Sequence, residues 1–474
     1  MQLKGFIGPS YTLQSTDIEC QRCVNLYPQM DESGAGKNVA ALLGTPGLRE
    51  FTVLDGAGHP VRGMITTSTG RLFAVTNTTL WEITADGCKH DRGTLNSSAG
   101  FVGIADNGRG LMLVDGPNGY GYDLTANTLS APLPDFPGGA TVAFQDGYFI
   151  FNQPNTQIFW ITDPYSTTID LTNFASAEGS PDNLLALLSD HELVWLFGTN
   201  STEVWYDSGD PLFPFARVQG GSIQYGLAAA RTPARFANSV VWLSRSEDGQ
   251  GVVLMSNGLQ PGRISTHAME QEIATYPRID DATAYTYQQD GHSFYVLNFP
   301  SGNSAGATWV YDAVTQLWHE RAFTGAFGPE RQRGEMHTEA FGKHIVSDYA
   351  KGTLYVMDRF ALNDDGARIT RIRTSPFVSD ELKNIFVSRL QLDIQTGVGT
   401  ADNSPQCMLQ WSDDGGHTWS NEHWTGLGAI GATQTRVIWR RLGRTRRRVF
   451  KFTISDDCFV AINDALIELS AGTS

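Results

Sequence analysis

One hairpin unit recurs along this chain seven times, and that recurrence limits the possible folds more than any other feature. The unit is a Gly, Asp or Asn turn, an aromatic-rich strand, a short polar turn and a second strand. It appears as Gly70-RLFAVTNTTLWEI, Gly108-RGLMLVDGPNGYGYDL, Asp146-GYFIFNQPNTQIFWITD and Asp190-HELVWLFGTNSTEVWYDSG. It continues as Asn238-SVVWLSRSEDGQGVVLMSNG, Asp290-GHSFYVLNFPSGNSAGATWVYD and Gly342-KHIVSDYAKGTLYVMD. Successive starts lie 38, 38, 44, 48, 52 and 52 residues apart. A sandwich places its turns every 8–12 residues, about a quarter of that interval. One four-stranded propeller blade needs roughly 40–50 residues. The spacing therefore predicts an all-β fold: a β-propeller of five to seven blades, each quoted hairpin forming the middle of a blade.

Composition agrees with many short strands and tight turns. Charged residues are only 18% of the 474, aromatics are 11%, and there are 50 glycines to supply turn backbones. The flanks depart from the repeat. Residues 1–60 read as an N-terminal arm, mostly loop, with a Gly/Ser-rich stretch at Asp31–Asn38 and a Gly44-Thr-Pro-Gly47 turn. Residues 61–370 hold the propeller. Residues 371–474 carry another strand set (Ser388-RLQLDIQTG, Gln406-CMLQWSDDGGHTW, Arg436-VIWRRLG, Arg448-VFKFTISDDCFVAINDALIEL), read as a C-terminal antiparallel β domain with a jelly-roll-like pattern.

The formal charge of −16 is unevenly placed. Residues 371–474 hold 12 Lys/Arg against 11 Asp/Glu, so residues 1–370 hold 22 against 39. An acidic body of this kind repels nucleic acid at long range and excludes a DNA-coating role. The best apolar run, Leu184–Leu188, is too short to cross a membrane, and the N-terminus lacks a signal-length apolar stretch. Assembly in the cytosol, with no membrane insertion, is expected. Five scattered cysteines argue against a disulfide framework. Cys20 and Cys23 form one Cys-x-x-Cys pair with no second pair of ligands downstream, so two reduced thiols are expected rather than a metal site.

The sharpest short motif is an Asp box: Ser412, Asp414, Gly416, Thr418 and Trp419 at the spacing Ser-x-Asp-x-Gly-x-Thr-Trp. Its logic is a hairpin tip. Asp414 accepts backbone N–H groups across the turn, Gly416 permits the bend, and Trp419 anchors the tip below. The motif recurs in sialidases, where it is structural, and a fold-stabilising role is expected. No catalytic signature accompanies it. Gly34-Ala-Gly-Lys-Asn38 lacks the first glycine and the terminal Ser/Thr of a phosphate loop. The pairs Asp280-Asp281, Asp364-Asp365 and Asp456-Asp457 read as solvated turns, and the ten histidines as exposed or satisfied singles. No enzyme, metal or cofactor is expected.

From Arg436 to Lys451 the chain carries eight basic residues and no acid: Arg436, Arg440, Arg441, Arg444, Arg446, Arg447, Arg448 and Lys451. Three readings stay open. The arginine stems cover apolar strand faces and meet acidic neighbours; or the strip is an interface, for which the acidic first part of a neighbouring copy is a ready partner; or it touches DNA phosphates. Only Trp439 and Phe450 interleave it, thin for base stacking.

Three groups of residues carry a family resemblance. The opening Cys23-VNLYPQM…Ala41-LLGTPGLRE with Val61-RGM is one, and Phe294-YVLNFP…Thr308-WVYDAVTQLWHER is another. The third is Leu390-QLDIQTGVG, Trp411-SDDGGHTWS and Val437-IWRRLGRTRRR. In this order they cover nearly the whole chain, which resembles the tail hub proteins of short-tailed phages, also called packaged-DNA-stabilisation or head-completion proteins. The resemblance implies a propeller subunit of a hexameric ring in the virion tail. Such a ring sits below the portal and its adaptor ring, holds a tail needle or distal plug, offers a side surface to tailspikes and keeps packaged double-stranded DNA from leaking. It implies no catalytic residues. A carbohydrate- or receptor-binding propeller is the alternative, with a glycoside hydrolase third.

Overall fold

A computed structural model describes residues 1–32, 39–246, 248–326, 328–381, 383–399 and 404–472. The phosphate-loop-like residues 34–38 lie outside the described residues.

Each predicted hairpin is the central pair of a four-stranded antiparallel blade; among the described residues seven blades form a closed ring, five as separate sheets and two as parts of a ten-stranded and a six-stranded sheet. Their inner strands are, in order, Val61–Thr66, Gly103–Asp106, Val142–Gln145, Leu184–Asp190, Ala234–Phe236, Thr283–Gln289 and Gly334–Ala340. Blade n below means the sheet built on the nth of these. Blades pack through apolar faces that alternate along the strands. Phe73, Val75, Leu111 and Leu113 join blades 1 and 2, for example, while Trp195, Phe197 and Trp242 join blades 4 and 5. The turns after the inner strands take left-handed backbone where the hairpin demands it, at Asp146 (φ 48°), Gly147 (φ 96°) and Asp290 (φ 51°).

Blades 1 to 6 are each built from consecutive strands. Blade 7 is not. Its outer strand is Gly47–Asp55, which pairs antiparallel with Gly352–Asp358 about three hundred residues away. Residues 1–60, expected as an arm that is mostly loop, thus also supply strands to the folded units. Leu26–Met30 and Ala40–Gly44 pair with each other, and Ala40–Gly44 continues onto Ala461–Ala471. Apart from the pairing of Leu26–Met30 with Ala40–Gly44, these partners are far apart in the sequence, so no local alternation announces them.

The C-terminal domain is a sandwich of two sheets. One runs Leu26–Met30, Ala40–Gly44, Ala461–Ala471, Ile385–Ile394, Val437–Arg440. The other is an extension of blade 6. That blade's outer strand, Leu317–Glu320, meets Cys23–Val24 in parallel, and the sheet continues through Arg371–Thr374, Arg447–Ile454 and Gln406–Ser412 to His423–Gly426. Leu390, Leu392, Leu409, Trp439, Phe450, Phe452 and Ile467 fill the space between the sheets. Arg373, fully buried at the seam, donates to the carbonyls of Gly5, Phe6, Pro9 and Arg22 and to Gln21. This fan of acceptors ties the first twenty residues to the sandwich.

Candidate interaction surface

The Asp box is built as its spacing implies. Ser412 Oγ donates to Asp414 Oδ1 (2.6 Å) and accepts the Gly416 N–H (2.8 Å). Asp414 accepts the Thr418 N–H (2.9 Å) and the Thr418 hydroxyl (2.5 Å). These donors, with the Ser412 hydroxyl first, hold the Asp414 carboxyl well below the usual carboxylate range. Gly415 and Gly416 both have positive φ (74° and 91°). Trp419 lies under the Lys451 ammonium, 4.1 Å from its ring centre. The tip does more than close a hairpin. Asp413 grips Arg448 with both oxygens (2.6 and 2.8 Å) and accepts the Thr445 hydroxyl, while His417 meets Thr16 at 3.1 Å.

The basic strip separates into two classes. Arg448 is buried, bonded to Asp413 and to the Leu442 carbonyl, and lies over Trp411. Arg447 pairs with Asp17 at 2.7 Å. With Lys451 on Trp419, these three have partners within the chain. Arg436, Arg440, Arg441, Arg444 and Arg446 are exposed, and none makes an ion pair among the described residues. Val437 and Trp439 point into the sandwich, so Arg436, Ile438 and Arg440 face out along an edge strand. Arg440 stands directly opposite Arg389, and Arg444 opposite the exposed Phe386. Arg389 is neutralised by Glu468, whereas Arg440 is not. A like-charged cross-strand pair on an exposed face costs stability. Sequence reasoning found the strip but missed Arg389 and Phe386, which only strand register brings to it.

Cys20 and Cys23 are buried free thiols, and desolvation raises them to about 11 and about 12. Two other expectations need correction. Asp364 is not a solvated turn residue: it is drawn in between propeller and sandwich, and burial lifts its carboxyl to about 7. The histidines are not all singles. His292 meets buried Asp312 at 2.8 Å beside His319, and His337 meets His344 at 3.1 Å. Strand pairing in blades 6 and 7 gathers residues whose spacing in the chain shows no cluster.

Inner strands of six blades, together with the segment just before the inner strand of blade 5, line an axial cavity of about 250 Å³, through residues that include Met64, Ile104, Leu187, Arg231 and His337. Glu335 is the one carboxylate among its lining residues, and it is held by Arg331 (2.5 Å) and Arg231 (3.7 Å).

No curated protein matches the chain. Solved structures similar to it include the WD40 β-propeller domain of Doa1 (11% identity, TM-score 0.41, 65% of this chain and 96% of that one). Another is YCF48 from Cyanidioschyzon merolae (11%, 0.44, 66% and 99%). A third is the computationally designed Ika8 protein (13%, 0.40, 74% and 99%). A family profile described as "Bacteriophage P22 Gp10, beta-propeller" matches residues 1–361, and one described as "Bacteriophage P22 Gp10, beta-sandwich" matches residues 370–470. The first profile covers the propeller with the N-terminal segment that reaches into the sandwich, the second covers the rest of the sandwich, and the chain belongs to the bacteriophage P22 Gp10 family, the structural tail hub proteins of short-tailed phages.

Proposed function

We propose that this protein is the subunit of a homohexameric hub ring in a phage tail, assembled in the host cytoplasm. The ring lies below the portal and its adaptor, closes the channel after packaging, retains the double-stranded DNA until ejection, and carries a distal needle and lateral tailspikes. The observation that carries the reading is the end-to-end family match, propeller and sandwich in one chain. The architecture supports it. A propeller locked to a sandwich by one continuous sheet presents a stiff body with two faces and a rim, which suits a part that must hold several partners in register. A glycoside hydrolase needs two carboxylates about 5–10 Å apart across a sugar; the axial cavity offers Glu335 alone, already paired. The test is to mix the purified chain with portal–adaptor complexes and image the product. A six-fold ring added below the adaptor supports the reading. A chain that never joins the complex, and instead binds or cleaves glycans, overturns it.

A further inference from the structure

Residues 110–216 contain thirteen Asp/Glu and not one Lys or Arg. This stretch runs from the second strand of blade 2 into the last strand of blade 4, so three adjacent blades carry most of the protein's excess charge. The turns that follow the first and third strands of a blade share one face of a propeller, because alternate strands run the same way. Asp123, Asp146, Glu192 and Asp210 sit at such turns, all four exposed and none paired with a Lys or Arg among the described residues. Asp123 accepts the N–H groups of Thr125 and Ala126, which keeps it ionised. The sandwich grows from blade 6, which stands across the seven-membered ring from blade 3. Each molecule therefore has a carboxylate face at one side and, at the other, a strand edge bearing five arginines that lack acidic partners.

We infer that the outward edge of the sandwich, centred on Arg436, Arg440 and Arg444, docks on the carboxylate turns of blades 2 to 4 in a second copy of this chain. The contact is heterologous: the two patches differ and lie on opposite sides of the body, so each copy offers one patch to each neighbour, and repetition closes a ring when the rotation allows. This inference rests on the ring reading and adds how the ring is held. A second copy fits better than DNA because the whole molecule is strongly acidic, so a duplex approaching the arginines is repelled by the same body that attracts them to a neighbour. Arg440, which stands beside the neutralised Arg389 without an acidic partner of its own, gains one from the neighbour's carboxylates.

The experiment uses the full chain and charge reversal on both sides. Light scattering at about 0.05 M and about 0.5 M salt should show wild-type assemblies that come apart as the screening length shortens. Arg436→Glu/Arg440→Glu/Arg444→Glu should weaken self-association at least about a hundredfold, and so should Asp123→Lys/Asp146→Lys/Glu192→Lys. The arginines are exposed and unbonded, so unchanged circular dichroism will confirm folding. Combining both sets in one chain should restore assembly, a rescue that misfolding cannot mimic. Rings that persist in either triple variant, or a combined variant no better than the single sets, overturn the contact while leaving a ring built on other surfaces. Normal rings with lost affinity for duplex DNA in the arginine variant assign that edge to DNA and also overturn it. A wild-type chain that stays monomeric at low salt and ignores the portal–adaptor complex overturns both readings.

Discussion

Arg448 and His319 show how single buried groups set the stability of this protein. The Arg448 guanidinium is spread over Asp413, a backbone carbonyl and the Trp411 ring, so Arg448→Met leaves buried acceptors without a donor. Because Asp413 is about half exposed, its charge is partly screened; we expect a loss near 2 kcal/mol. Urea unfolding followed by the fluorescence of the sandwich tryptophans will measure it, and a loss below about 0.5 kcal/mol contradicts the fastening role. His319 is fully buried and neither ring nitrogen has a hydrogen-bond partner among the described residues. Desolvation, with Arg321 and His292 nearby, puts its pKa well below the ordinary histidine value, and His337 is lowered to about 3. In the unfolded chain both take up protons near pH 6.5, so the native state keeps its full stability above that pH and loses it below. Each costs about 1.4 kcal/mol per pH unit. The urea midpoint should fall between about pH 7.5 and about pH 5.5, and His319→Leu should flatten that fall. An identical pH profile in the variant contradicts the assignment.

Among the elements, the strand Gly47–Asp55 decides whether the ring of blades closes. A side chain at Gly47 would overlap the carbonyl oxygens of Ala361 and Asn363. Gly47→Val should therefore lower the melting temperature by several degrees and expose the N-terminal segment to protease; a variant as stable and as protected as wild type shows that closure does not depend on this strand. That strand also marks where the sequence stops being legible. Blades 1 to 6 can be read directly, since each hairpin, such as Leu72–Thr76 with Thr79–Ile83, pairs with its own neighbour. The outer strand of blade 7 cannot, because its partner is at the far end of the propeller. The same distinction runs through the candidate surface. Ser412 to Trp419 act within eight residues, so their spacing discloses the turn. Arg448 finds Asp413 thirty-five residues away and Arg447 finds Asp17 across most of the chain, so the run of arginines gives no sign of which members have partners within the chain.

At the scale of the whole molecule, one sheet runs from the axis of blade 6 to the far edge of the sandwich, and the two units share the N-terminal segment that crosses between them. A continuous sheet joins the two units, which suits the proposed hub role. It also fixes the carboxylate blades and the arginine edge on opposite sides, so that each copy carries both halves of the proposed contact. The claim that this protein builds a ring is most directly tested by electron microscopy of the full chain with portal–adaptor complexes. Six copies closed below the adaptor are expected, with each sandwich edge against blades 2 to 4 of its neighbour. Particles with no added ring, or with separate copies bound without touching one another, would contradict it.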